Sequence, residues 1–560
     1  MVISSSLNFI TRKNELFFRV FSSLLGLLFL VSACGTTDRA RLKESRTAFL
    51  QEDFPKAEAA LFTLDVFKNS QNRLEHFYWL SSIAMSEGEF EKAAYFLNRA
   101  RELALSSRSS AGAFDWFSRD YKSNPIEFSY IHYMLVMSYS LLAETGQSPE
   151  WHTPQIKDDK GNILVDAQDH TIHKFDPSEI ARFRQKARAE LLAWDTFLET
   201  LKRTYPTQNF YKEDLWARLL ASFVQGVSSD NNERRTAELL AENAREIFDK
   251  EFKRYPSAKN SGSDVQDLVD RLKKRSEDRK NADSLFVLEA GVIAPYKIKR
   301  FHLGLSTIFS GIKDPLLRRQ MEQIGIQVLL STAPEFGLIA VGGGITGAFG
   351  GDDDEFEGPP RYFSDAVDRS FGFEIRFPTM TYPPSDTRVS LHLTDVKNQK
   401  SNDYKLAVVS PLQEMVATEI KSREGSEMFA KALSIGGQYV AILIPAVKAY
   451  QAADRNGNVF QKLAILAGYF IAKKAIDNAN NPDLRSWSTL PQLIAANLVP
   501  APPGAYNAKV VLENRFGREE KDLGKLIFGS PTSLLVRQRI GTVPILNYRD
   551  DEDQKSAQLH

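Results

Sequence analysis

The chain has 560 residues, 43% hydrophobic and 25% charged, the make-up of a folded globular protein long enough for several cores. Lys and Arg together number 71, as do Asp and Glu, and this neutrality argues against general nucleic-acid binding, which wants a basic excess. A single cysteine excludes an intramolecular disulfide and a multi-cysteine zinc site.

At the N-terminus Arg12, Lys13 and Arg19 precede an apolar stretch of 14 residues from Val20 to Ala33. A membrane span needs about 20, so the stretch reads as the apolar core of a secretion signal. It ends Val31-Ser32-Ala33-Cys34, which resembles the bacterial lipobox. In that motif the cysteine thiol takes a diacylglyceryl group, a peptidase cuts before it, and the new amine is acylated. The reading is a lipoprotein signal peptide over 1–33, lipidation at Cys34 and a lipidated tether over 34–41. More than one acyl chain gives stable attachment, at roughly 0.8 kcal/mol per buried CH₂. Gly35 rather than Asp after the cysteine favours the outer membrane in the Gram-negative sorting pattern.

From 42 to 264 the periodicity is helical. "QEDFPKAEAALFTL" (51–64) and "SEGEFEKAAYFLNRA" (86–100) align at a 36-residue offset, with Phe54 on Phe90, Ala57 on Ala93 and Leu61 on Leu97. The pattern resembles the tetratricopeptide (TPR) repeat, with Gly88 and Phe90 at the turn. Small residues (Ala57, Ala93, Ala100) allow close helix approach and Leu97 fills the gap. Further helices are expected over 127–144, 177–203, 213–227 and 234–256. An α-solenoid of about four hairpins follows, either holding a partner segment in its groove or serving as a plain scaffold. Between 145 and 178 a polar insertion carries Asp169, His170 and His173; without further ligands at a recognisable spacing it reads as an exposed loop rather than a metal site.

Residues 265–283 are charge-rich and read as a linker. Beyond them, period-two alternation with Pro and Gly punctuation marks antiparallel strands over 284–291, 296–305, 370–378, 388–395 and 505–514. The overall expectation is an α+β multidomain chain: a TPR-like α-solenoid, then a β-rich, sandwich-like domain over 284–545. An inserted helical hairpin occupies about 412–480 and a disordered tail 546–560. The β-rich part is expected to fold without the helical half. The hairpin segments 436–453 and 459–476 are apolar, which fits burial against the sheet, insertion into a membrane or an oligomer interface.

Three stretches carry a broader resemblance: Tyr121 with Asn124-Pro125-Ile126-Glu127, "LFVLEAGVIAP" (285–295), and "DLRSWSTLP" (483–491) followed by "PPGAYNAKVVL" (502–512). In these the chain resembles a family of proteobacterial envelope lipoproteins with TPR-like N-terminal halves. The resemblance implies an envelope lipoprotein, and, since members are encoded near small lipoproteins related to activators of penicillin-binding proteins, it implies partners of that kind. Segment 306–370 departs from the family pattern.

Other chemistry-bearing patterns fall short. Gly342, Gly344 and Gly347 match the dinucleotide fingerprint, but Asp352-Asp353-Asp354-Glu355 follow at once and leave no room for the phosphate-binding helix. The turn 454–458 looks faintly like a calcium loop without its distal glutamate. Ser486 and Ser488 sit beside Arg485 and Trp487 with no histidine in a hydrolase context, so this too reads as a structural loop. The sequence therefore points to an outer-membrane-anchored periplasmic lipoprotein that binds envelope proteins as a scaffold or adaptor. No catalytic constellation stands out in it, and no cofactor or nucleic-acid partner is expected. The alternatives are an envelope enzyme acting on peptidoglycan or glycan, and a membrane-inserting assembly component.

Overall fold

The computed structural model describes residues 36–62, 72–106, 121–157, 161–204, 211–228, 230–277, 283–303, 373–380, 386–456, 459–482, 484–515, 517–528 and 535–540. The helical half runs α1 (Thr36–Leu50), α2 (Phe54–Leu61), α3 (Arg73–Glu87), α4 (Phe90–Ser106), α5 (Pro125–Thr145), α6 (Pro177–Thr204), α7 (Leu215–Gly226), α8 (Asn231–Lys250), α9 (Pro256–Asn260) and α10 (Gly262–Glu277). Each helix from α1 to α8 packs on its chain neighbours. Local chemistry sets the ends. Asp53, Asn124, Asp214 and Asp230 cap α2, α5, α7 and α8 with side-chain oxygens, while Gly88 and Gly146 close α3 and α5 in the left-handed region.

Strands β7 (Ser284–Ala290), β8 (Lys297–Leu303), β9 (Phe373–Thr379), β10 (Arg388–Asp395) and β11 (Ser401–Ser410) come next. The helical hairpin α11 (Leu412–Arg455) and α12 (Val459–Ala479) interrupts the sheet, which resumes with β12 (Leu493–Val499), β13 (Gly504–Asn514), β14 (Gly517–Phe528) and β15 (Leu535–Ile540). Seven of these form one sheet in the order β14-β13-β10-β11-β12-β7-β15, antiparallel except for the parallel β15–β7 pair. β8 and β9 pair separately. The large sheet curls until it is nearly closed. Its concave face is packed by Phe286, Leu288, Leu391, Val408, Ala495 and Val510. It is thus one curled sheet and not a sandwich of two.

The convex face of the same strands is covered by the helices. A single hydrophobic core runs from Ala48 in α1 to Leu535 in β15 and includes Leu285, Val287, Val409 and Leu498 of the sheet. Alternation along β7 explains this: even positions face the inside of the curl and odd positions face the helices. The expected separation into a helical domain of 42–264 and a β-rich domain of 284–545 is therefore corrected, because the two halves share a core. The expected linker is corrected too. Most of it is α10, whose Val265, Leu268, Val269 and Leu272 are buried at helical spacing. Residues 36–41 of the expected tether are the first turns of α1. The polar insertion is not a plain loop but three two-stranded pairs: β1 (Gln147–Ser148) with β6 (His173–Lys174), β2 (Trp151–Thr153) with β5 (Gln168–His170), and β3 (Ile156–Lys157) with β4 (Ile163–Val165). Cys34, the triad of Gly342, Gly344 and Gly347, and the tail 546–560 lie outside the described residues.

Candidate functional site

Residues 121–127, 285–295 and 483–491, singled out in the sequence, meet at the seam between helices and sheet, while 502–512 form β13 away from it. Asn124 opens α5 in a capping box: its Oδ1 accepts the Glu127 N–H at 2.9 Å, and Glu127 Oε2 accepts the Asn124 N–H at 3.1 Å. The second Glu127 oxygen reaches across the seam and accepts the Trp487 N–H at 2.9 Å. Trp487 is fully buried and stacks on Tyr78 of α3, with centroids 4.0 Å apart and 6° between planes. It meets Tyr130 edge-on at 4.9 Å, and its indole N–H donates to Ser82 Oγ at 3.0 Å. Arg485 donates to Asn72 at 2.7 Å and lies 5.7 Å over the Tyr121 ring. Burial and the nearby Glu127 carboxylate push the Tyr121 phenol well up.

The stretch 285–295 supplies Glu289, which points from β7 toward the helices. It is fully buried and receives five charge-assisted or phenolic hydrogen bonds. Arg537 donates at 2.7 and 2.8 Å, Arg539 at 3.0 Å, Tyr133 at 2.6 Å and Tyr130 at 3.0 Å. Arg537 also donates to the Met85 carbonyl at 3.1 Å, and Arg539 to the carbonyls of Gly291 and Thr489 at 3.0 and 2.7 Å. Desolvation pushes the Glu289 carboxyl up, but the two guanidiniums outweigh it and hold the pKa at about 2. Farther along the seam, Glu419 on α11 accepts the Tyr211 N–H at 2.8 Å, and Ser261 Oγ accepts the Val408 N–H at 3.2 Å.

Chemically these groups are spent on one another. Glu127, Glu289, Arg537 and Arg539 each hold several partners, and their buried atoms face protein on all sides. The arrangement fixes the position of the sheet on the helices. Arg537 and Arg539 escape sequence reading because "LVRQRI" looks like a strand with a wet face. The available signal is Glu289 itself, a lone carboxylate in the otherwise apolar "SLFVLEA", which demands a buried cation.

The remaining candidates scatter. Phe54 starts α2, half-buried and edge-on to Phe49 at 5.6 Å. Ala57, Ala93, Leu97 and Ala100 are fully buried, Gly88 adopts φ +82°, and Phe90 begins α4. His170 stacks on Trp151 at 4.2 Å while His173 contacts Glu179 at 3.0 Å, so Asp169, His170 and His173 are not brought together. Among the described residues no three such ligands gather at a point. Ser486 is buried beside Trp487.

One titration belongs to the α2–α4 corner. Lys92, buried, bridges Glu58 at 2.5 Å and Glu89 at 2.8 Å. Burial lifts the Glu87 carboxyl from its ordinary 4.5 to about 7, helped by Glu89 and Glu58. A raised acid favours the fold while protonated, so its contribution is full below about pH 4.5 and disappears as pH rises through about 7. Glu87→Gln should therefore raise the melting temperature at about pH 8 and leave it unchanged at about pH 4, read by calorimetry at both. Equal shifts at both pH values would refute this.

In comparison with known proteins, no family model, curated protein or solved structure matches the chain.

Proposed function

We propose that the chain is a lipoprotein held by acyl groups on Cys34 at the periplasmic face of the outer membrane, where it binds envelope proteins as a scaffold or adaptor. The observation that carries this is the unique Cys34 at the end of a charged-then-apolar leader, two residues before the first described helix. The hairpins α1/α2, α3/α4, α5/α6 and α7/α8 follow one another as a TPR-like array would, with buried alanines at the close approaches. Such arrays normally offer partners the side made by their first helices. Here α3, α5 and α7 are covered by Trp487, β15 and β11, so that groove holds the chain's own sheet. Partners are left the second helices, and α4, α6 and α8 expose Leu105, Leu192 and Leu239 at 55, 65 and 57%.

The test has two arms. Wild-type chain should incorporate labelled palmitate, and Cys34→Ser should accumulate as unlabelled precursor; equal labelling sinks the anchor. After envelope crosslinking, wild type should retain a partner that Leu192→Glu and Leu239→Glu lose while melting normally, since exposed substitutions change stability by about 0.5 kcal/mol at most. If every loss of partner tracks a loss of folding, the scaffold role fails.

A further inference from the structure

The hairpin α11/α12 is anchored at one end in the common core and packs along part of α11 on β9. Leu412, Met415, Val416 and Ile420 of α11 enter the common core. Beyond them α11 meets β9, Arg376 of β9 donates to Asn481, and α11 and α12 pair with each other, through Lys462 5.6 Å over the Tyr450 ring, Tyr439 hydrogen-bonded to Asp477, and Asn480 donating to Gln438 at 3.3 Å. Ile435, Tyr439, Tyr450, Ala453 and Tyr469 fill the seam between them. The outward positions do not look like those of a water-facing helix. Residues 432–447 and 463–472 contain no charged residue, and Phe470 and Ile471 stand 40 and 65% exposed. What charge the paired part 432–479 has is biased: Lys448, Arg455, Lys462, Lys473 and Lys474 against Asp454 and Asp477, a surplus of three in a chain whose total is zero. Lys448, Arg455 and Lys474 are exposed.

We propose that this segment docks on an anionic lipid bilayer, with Phe470 and Ile471 entering the headgroup boundary and the basic residues meeting lipid phosphates. The inference rests on anchoring at Cys34, which keeps the chain beside a membrane. Charge selects the occupant. A second copy would bring an equal positive surplus against the first, whereas an anionic surface attracts each basic residue within a Debye length. Length sets the depth. The longer uncharged run, 432–447, rises about 24 Å as a helix, short of the roughly 30 Å hydrocarbon core. Among the described residues no helix is long and apolar enough to cross a membrane. The hairpin therefore engages one leaflet, with lysine stems lying along the apolar boundary and ammonium groups at the phosphates.

The experiment uses the full acylated chain with Ile471→Cys, labelled at that thiol with an environment-sensitive dye. It is reconstituted in phosphatidylcholine vesicles with and without phosphatidylglycerol. The expected result is a blue shift and several-fold brighter emission in the anionic vesicles, quenched by spin-labelled lipid and lost with Lys473→Glu and Lys474→Glu. The same dye at Leu239→Cys, on an exposed residue of α8, should keep its aqueous emission. Emission at 471 that ignores phosphatidylglycerol overturns the proposal. So does emission that follows protein density instead, the mark of self-association. The unsubstituted chain has only Cys34, so dye uptake by it would show an unacylated thiol and fail the anchoring separately from the response at 471.

Discussion

Replacing Arg537 by methionine should lower the stability of the chain by about 3–5 kcal/mol, the range for removing one partner of a buried ion pair. Methionine keeps most of the side-chain volume, so the loss is chiefly electrostatic. Glu289 would retain Arg539, Tyr130 and Tyr133, which places the effect toward the lower end. The Met85 carbonyl at the end of α3 would also lose its donor. Urea unfolding at neutral pH gives the number, and the double variant Glu289→Gln with Arg537→Met should lose less than Arg537→Met alone. A single variant within about 0.5 kcal/mol of wild type would show that the seam does not hold the halves together. The pH dependence follows from the same group. Its folded pKa of about 2 lies below the ordinary 4.5, so the contribution is complete above about pH 4.5 and is lost as pH falls through about 2. Wild type should accordingly lose stability over that window, and the double variant should lose less.

The second large effect comes from cutting the chain. Expressed alone, residues 284–560 should show no cooperative unfolding transition. Removing the helices strips Leu285, Val287, Val409, Ile494, Leu498 and Leu535 of their cover. At about 1.5–3 kcal/mol for each fully buried side chain, the exposed face costs on the order of 10 kcal/mol, comparable to the whole stability of a typical domain. Glu289 would keep its arginines but lose both tyrosines. Calorimetry of the piece beside the intact chain decides it, and a sharp transition in the piece would refute the shared core.

These two predictions reverse the sequence-level division at 265–283, and the reason lies in α10. Charged residues crowd that stretch, which reads as solvated linker, yet Val265, Leu268, Val269 and Leu272 form one apolar face. The helices over 127–144 and 177–203 were legible because their apolar spacing is long and carries start signals. The strands at 284–291, 388–395 and 505–514 were legible from alternation. β12, "LIAANLV", shows no alternation because both its faces are buried, and β14, "GREEKDLGKLIF", hides as a charged edge. Of the seam, Tyr121, Glu127, Glu289 and Trp487 lay in stretches noticed for their pattern. Their convergence was not legible, since Trp487 meets Glu127 across 360 positions of chain and nothing local encodes such a distance.

The parallel pairing of β15 with β7 also sets a timetable for synthesis. Arg537 follows Glu289 by 248 residues, so at ribosomal speeds of about 5–20 residues per second the carboxylate waits roughly ten to fifty seconds for its first guanidinium. Over that interval β10 to β14 are made in turn, so β7 can pair with β12 before its parallel neighbour β15 exists. The seam at Glu289 is therefore the last part of the sheet to close, wherever the chain folds. A premature stop before Leu535 would remove β15 and with it both guanidiniums that hold Glu289.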